Sequence, residues 1–131
     1  MQISLQAYPL QLARAEARNA DSFPRRIRVG AVITKGNSVL SIACNRMGTS
    51  TISVPGRRKS VWYRHAEVHA IKQADLSVMK GATVWVWREF KNGTPALAKP
   101  CEDCMELLKI VGIKRVVYTI SKTPFFAEER I

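Results

Sequence analysis

Two short motifs constrain this chain more than any other feature of its sequence. His65 is followed two positions later by Glu67, and Pro100 precedes a Cys101-x-x-Cys104 pair in the second half of the chain. A catalytic zinc site needs three protein ligands, an open fourth position and a proton carrier that is not itself a ligand. The motifs therefore predict one zinc ion per chain, held by His65, Cys101 and Cys104, with Glu67 as the proton carrier.

The spacing of these residues also predicts where the metal lies. Residues three apart on a helix lie on the same side, and the positive helix N-terminus favours thiolates, so Cys101 and Cys104 suit a cation. Two residues apart in mid-helix, His65 and Glu67 would point in nearly opposite directions. They converge only if the metal lies beyond the start of their helix, so we expect the zinc between two helix starts.

The surrounding pattern predicts an α/β fold. Apolar periodicity, turn residues and β-branched runs alternate along the chain in segments of helix and strand length. The predicted helices span residues 5–20, 65–76 and 100–111. The predicted strands span residues 27–34, 39–44, 82–88 and 114–120, and a short helix is expected in the tail, with Pro124 in its first turn. We predict a three-layer α/β/α sandwich with a mixed sheet of four to five strands, as a single domain over residues 1–131.

Within this order, the first two strands form an antiparallel hairpin, and the strand at 82–88 is apolar on both faces, as in mid-sheet. The connection from that strand through the cysteine helix to the strand at 114–120 predicts a parallel βαβ unit. Residues 45–64 are predicted to be a long loop, which is typical of a functional or disordered segment.

Composition narrows the setting in which the chain works. A chain of 131 residues can bury a hydrophobic core that is stable without disulfide cross-links. Its first residues lack the pattern of a signal peptide or a membrane span. We expect a soluble, cytoplasmic protein with no membrane partner. Three cysteines do not form a disulfide framework, which agrees with a reducing compartment and a metal.

The motifs resemble those of the zinc-dependent cytidine and deoxycytidylate deaminase superfamily, in the branch with one His and two Cys ligands. The resemblance covers about residues 27–120 and includes the order hairpin, catalytic helix, strand, cysteine helix, strand. It implies a cytidine deaminase-like fold, a homo-oligomer and hydrolysis of an amidine C–N bond. It also implies that Asn45 contacts the sugar, that the backbone at Ala66 and Cys101 touches the base, and that Glu67 shuttles protons.

The sequence departs from this family in three places. The stretch 88–99 is long, no clear fifth strand follows Ile120, and Asn45 is not followed by the familiar Gly-x-Pro run. These departures concern the substrate pocket rather than the zinc motifs.

The choice of substrate rests on a basic segment that leads into His65. The formal net charge of +11 favours an anionic substrate or a polyanionic partner, and a solvated basic surface is the alternative. The segment's cations are predicted to bind substrate phosphate; they are Arg57, Arg58, Lys59 and Arg64. Such a cluster suits one phosphate of a nucleotide or several phosphates of a strand.

Three functions remain open from the sequence. The first is deamination of a free cytosine nucleotide or nucleoside of the CMP or dCMP type to the uracil form, with release of ammonia. The second is deamination of cytosine or adenine in single-stranded DNA or RNA, including tRNA, because bases inside a duplex are out of reach. The third is a nucleic-acid-binding module that keeps zinc as a fold element without catalysis.

Several other residues have both a structural and a functional interpretation. A structural zinc would need a fourth ligand, and His69 or Cys44 could supply it. We interpret His69 as a surface or pocket-wall residue, and Cys44 as a small buried side chain. Trp85 and Trp87 are predicted to lie in the core. For Trp62 and Tyr63, base stacking and packing remain equally open.

Overall fold

The computed structural model describes residues 4–20, 28–45, 51–53, 60–62, 65–90 and 92–131. Its helices are α1 (Tyr8–Ala17), α2 (Ala66–Gln73) and α3 (Glu102–Ile110), with a 3₁₀ turn at Leu76–Val78. Its strands are β1 (Arg28–Lys35), β2 (Ser38–Cys44), β3 (Thr51–Ser53), β4 (Ser60–Trp62), β5 (Thr83–Glu89), β6 (Pro95–Ala96), β7 (Arg115–Thr119) and β8 (Phe126–Arg130). None of the helices in these ranges is long and apolar enough to cross a bilayer.

The main sheet is mixed, as the sequence predicts. Its strand order is β2-β1-β5-β7-β8, with β6 paired to β5 beside this path. β1 is antiparallel to both β2 and β5, whereas β5 and β7 are parallel and joined through α3. The hairpin, the central strand and the parallel βαβ unit are therefore confirmed.

Helices cover both faces of this sheet, which confirms the three-layer architecture. On one face α1 buries Leu10, Ala13 and Ala17 against a core that includes both Trp85 and Trp87. On the other face α2 and α3 pack on a larger core, formed from alternate residues of the same strands. The prediction that the two tryptophans belong to the core is confirmed.

The prediction of a short helix in the tail is wrong. Phe125 has a φ of 71°, outside the helical range, and its N–H donates to the carbonyl of Lys122 at 2.7 Å. This turn reverses the chain, so that β8 runs antiparallel to β7 and supplies the strand that the sequence did not reveal after Ile120. A proline suits a tight turn as well as a helix start, and only the pairing with β7 decides between them.

Two segments predicted as loops contain short strands. β3 and β4 pair antiparallel within the segment 45–64, and β6 pairs with the end of β5 within the segment 89–99. The helix predicted over 65–76 ends at Gln73, and the side chain of Asp75 then caps the 3₁₀ turn by accepting from the N–H of Ser77 at 2.9 Å.

Candidate metal centre and active site

The structure brings together the three side chains that the sequence predicts as metal ligands. The ligand atoms of His65, Cys101 and Cys104 lie within 4.8 Å of one another. His65 Nδ1 is 3.3 Å from the sulfur of Cys104 and 3.9 Å from that of Cys101. Tetrahedral zinc with ordinary bond lengths holds nitrogen and sulfur ligands roughly 3.6 Å apart. The donor set and its spacing therefore fit zinc.

Two helix starts deliver these ligands. His65 is the N-cap of α2, with φ −73° and ψ 132°. Cys101 is the N-cap of α3, and its sulfur accepts from the N–H of Cys104 at 3.4 Å. Both residues have extended backbone conformations just before their helix, so their side chains can turn towards each other across the helix ends. The positive ends of both helices therefore face the ligand cluster.

The two thiols do not ionise alike. A hydrogen bond from Cys104 and a second from His65 lower the pKa of Cys101 to about 4. The same bond to Cys101, together with burial, raises the pKa of the Cys104 thiol above its ordinary value. The hydrogen bond between the two sulfurs therefore favours ionisation of Cys101 over that of Cys104. A divalent cation bound by both sulfurs would require both as thiolates.

Glu67 lies beside this cluster but outside it. The metal-ligand group found among the described residues comprises His65 and the two cysteines, without Glu67. Glu67 is the second residue of α2 and is 6% exposed. Burial raises the pKa of its carboxyl, against opposing contributions from backbone hydrogen bonding and from His65. A buried carboxyl with a raised pKa is suited to accept and return a proton near neutral pH.

Of the residues predicted to bind substrate, the structure describes Asn45 and Ala66 but not the four cations. Asn45 follows β2, where its Oδ1 accepts from the N–H of Val29 at 2.8 Å and its own N–H donates to the carbonyl of Val29 at 3.0 Å. This side chain therefore extends the pairing of β1 and β2, and its contact with a sugar stays a prediction. Ala66 is the first residue of α2 and is buried. The four cations of the basic segment, Arg57, Arg58, Lys59 and Arg64, lie outside the described residues, as does Tyr63.

The two alternative ligands from the sequence do not join the cluster. His69 is partly exposed on α2, and its Nε2 lies 2.9 Å from Nε2 of Gln73. Cys44 is buried at the end of β2, as predicted. Neither belongs to the three-residue ligand group.

Thr119 positions the segment that leads to the first cysteine, a role that the sequence does not predict. Its buried hydroxyl accepts from the N–H of Arg88 at 3.1 Å and donates to the carbonyl of Ala96 at 2.6 Å. Its carbonyl accepts from the N–H of Ala98 at 2.9 Å. Thr119 therefore joins β7 to β5 and to the residues just before Cys101. A threonine at the end of a strand is too common to indicate this role.

The comparisons with known proteins agree with this geometry. Residues 4–120 match the family model described as the cytidine and deoxycytidylate deaminase zinc-binding region. A deoxycytidylate deaminase from Mycobacterium phage D29 is 33% identical over an alignment that covers 85% of this chain and 91% of that protein.

Solved structures share the fold. The dCMP deaminase of cyanophage S-TIM5 in its apo form has a TM-score of 0.59 at 21% identity, covering 94% of this chain and 88% of its own. The same enzyme in complex with dCMP and dUMP has a TM-score of 0.54 at 21% identity, with coverages of 84% and 76%. Acinetobacter baumannii RibD, form 1, has a TM-score of 0.53 at 24% identity and matches 86% of this chain but 27% of its own.

Proposed function

This chain belongs to the cytidine and deoxycytidylate deaminase family, and on that premise we propose that it deaminates a free cytosine nucleotide. The substrate is of the CMP or dCMP type, and the products are the uracil nucleotide and ammonia. One observation carries the proposal: His65 and the two cysteines converge beside a buried Glu67 that is not part of the ligand cluster. The phage relative, a deoxycytidylate deaminase, makes dCMP the first substrate to test.

In this reaction His65, Cys101 and Cys104 would hold one zinc ion. When bound, zinc acts as a Lewis acid that makes water a nucleophile near neutral pH. Three ligands leave a fourth position open, whereas a structural site would be closed by a fourth side chain. Among the described residues, the ligand group thus has the three side chains of a catalytic site rather than the four of a structural one.

Glu67 moves the protons. Its carboxylate accepts a proton from the attacking water as the oxygen adds to C4 of the cytosine ring, and it passes this proton to ring N3. Glu67 then takes the remaining hydroxyl proton and delivers it to the amino group, so that the C4–N bond breaks and ammonia leaves. The sum is water plus cytosine giving uracil plus ammonia. The burial of Glu67 supports this role, because it keeps bulk water from competing for the proton.

The test compares ammonia release from dCMP, CMP, deoxycytidine, cytidine and guanine by the zinc-loaded protein. We expect the nucleotides to be the best substrates. Glu67→Gln should lower kcat by about 10²- to 10⁴-fold with zinc content unchanged, because it removes the proton carrier and leaves the ligands. Glu16→Gln, on the opposite side of the sheet in α1, is the matched control and should keep full activity.

Equal inactivity of the zinc-loaded protein on all five compounds would contradict the proposal. A deaminase-treated pool of single-stranded DNA and RNA, read by sequencing, then tests the nucleic-acid substrate that the net charge of +11 favours. A cytoplasmic location and a homo-oligomeric state stay predictions from the sequence.

A further inference from the structure

Arg88 belongs to a row of residues that crosses the sheet at the end nearest the candidate metal centre. Asn45 pairs with Val29 through backbone and side-chain hydrogen bonds, Val29 pairs with Arg88, and Arg88 pairs with Ala96. The chain leads from Ala96 directly to Cys101 at the start of α3. This end of the sheet is the carboxyl end of the parallel strands β5 and β7, where α/β proteins bind their ligands.

Arg88 also lies on the same face of the sheet as the metal centre. Side chains alternate along a strand, and on β5 the residue Val86 packs in the core under α2 and α3, whereas Trp87 packs in the core under α1. Arg88 therefore points to the side of α2 and α3. Asn45, two residues after Ala43 of that same core, is placed on the same side.

No carboxylate neutralises Arg88 among the residues that the structure describes. The ion pairs found in these ranges join other residues, namely Arg18 to Glu89, Lys99 to Glu129 and Arg115 to Glu128. The adjacent Glu89 faces the α1 side, where Arg18 Nε reaches it at 3.1 Å. A cation that is half-buried without an acidic partner is suited to an anionic ligand.

The structure also holds Arg88 in place. Its Nη1 donates to the carbonyl of Leu97 at 3.3 Å, and its backbone N–H donates to the hydroxyl of Thr119 at 3.1 Å. The remaining guanidinium N–H groups form a planar fork that matches two oxygens of a phosphate. Little side-chain freedom is then lost when an anion binds.

We propose that Arg88 binds the phosphate of the nucleotide substrate and so makes the enzyme prefer nucleotides to nucleosides. This inference rests on the proposed function and names a residue that determines its specificity. Neighbouring strands lie about 4.8 Å apart, so the backbones at Asn45 and Arg88 are separated by roughly 10 Å. With Asn45 at the sugar, a phosphate attached to that sugar extends along this row towards Arg88, whose guanidinium lies on the β6 side of β5 beside the carbonyl of Leu97.

The test separates the phosphate from the rest of the substrate. Arg88→Met should raise KM for dCMP by about 10- to 100-fold, the effect of losing a charge-assisted hydrogen-bond pair, and should leave kcat/KM for deoxycytidine within about 2-fold. Arg88→Lys should recover part of the loss, since it keeps the charge without the fork. Arg115→Met, which removes an arginine already paired with Glu128, is the control and should leave the kinetic constants for both substrates unchanged.

A direct binding measurement keeps this inference distinct from the proposed reaction. Measured by calorimetry, the affinity of Arg88→Met for dUMP should be about 10- to 100-fold weaker than that of the unsubstituted protein, while its affinity for deoxyuridine stays unchanged. An equal loss for dCMP and deoxycytidine, or unaltered dUMP binding, would overturn the role of Arg88. If the unsubstituted protein turns over no cytosine compound, the proposed function fails. If it deaminates dCMP and Arg88→Met has the same KM for dCMP, only this inference fails.

Discussion

At the scale of single residues, Gly30 sets how closely α1 approaches the sheet. A Cβ added to Gly30 would overlap the carbonyl oxygen of Ala13 and crowd the backbone nitrogen of Ala17. Both are backbone atoms of a helix, so they cannot rotate away as a flexible side chain would. The glycine is therefore needed for close packing rather than for an unusual backbone conformation.

Gly30→Ala should lower the free energy of unfolding by about 1–3 kcal/mol or more, because α1 must move away from β1. Gly36 offers a contrast, since a Cβ there meets nothing within 4 Å and only its φ of 59° opposes a side chain. Gly36→Ala should cost about 1–2 kcal/mol through backbone strain alone. Urea unfolding of both variants measures the difference, and a harmless Gly30→Ala would mean that α1 packs less closely than described.

At the scale of secondary-structure elements, β8 is held to the sheet by a polar network as well as by its ladder. The hydroxyl of Tyr118 on β7 donates to Glu129 on β8 at 2.9 Å, and Lys99 Nζ lies 3.3 Å from the same carboxylate. Burial, followed by this hydrogen bond, raises the pKa of Tyr118 to about 12. The network therefore links the last strand to a residue just before Pro100 and the cysteine motif.

The raised pKa makes this network sensitive to alkaline pH. The phenol is neutral in the folded state up to about pH 12 but ionises near pH 10 when unfolded. The stability that it contributes is therefore fully present below about pH 10 and is lost as the pH rises towards 12. Tyr118→Phe should flatten this part of the curve of unfolding free energy against pH, whereas Tyr8→Phe, at a residue 69% exposed, should not. Identical alkaline curves for Tyr118→Phe and the unsubstituted protein would contradict this assignment.

At the scale of the whole molecule, the candidate metal centre joins two helices that are far apart in sequence. His65 precedes α2 and the cysteines begin α3, so an ion bound by all three residues adds a cross-link to the folded state alone. Such binding raises the free energy of unfolding by about 4 kcal/mol when zinc is present at 1,000 times its Kd.

Removing zinc with a chelator should therefore lower the melting temperature by roughly 10–20 °C, and adding zinc back should restore it. Calorimetric scans with and without metal measure the effect. Cys104→Ser should lose the response to zinc, while Cys44→Ser, outside the ligand cluster, should keep it. An unsubstituted protein that melts at the same temperature in zinc and in chelator would rule out this coupling.

Much of the fold and of the candidate site follows from local sequence pattern. The β1–β2 hairpin, the apolar central strand β5 and the helix that carries both cysteines each depend on residues close together in the chain. The spacing His65-x-Glu67 also requires a helix start at this point, which the structure has. Local chemistry is enough here because turn residues, periodicity and ligand spacing act over a few positions.

The sequence by itself determined the types of the candidate ligands, the carboxyl beside them and the alternation of helices and strands. The tertiary structure alone decided that the tail forms β8, that Asn45 extends the β1–β2 pairing, and that Arg88 shares a row and a face with it. Each of these depends on the register between strands that are distant in the chain. A shift of one residue in that register would turn Arg88 to the opposite face, and no local pattern encodes it.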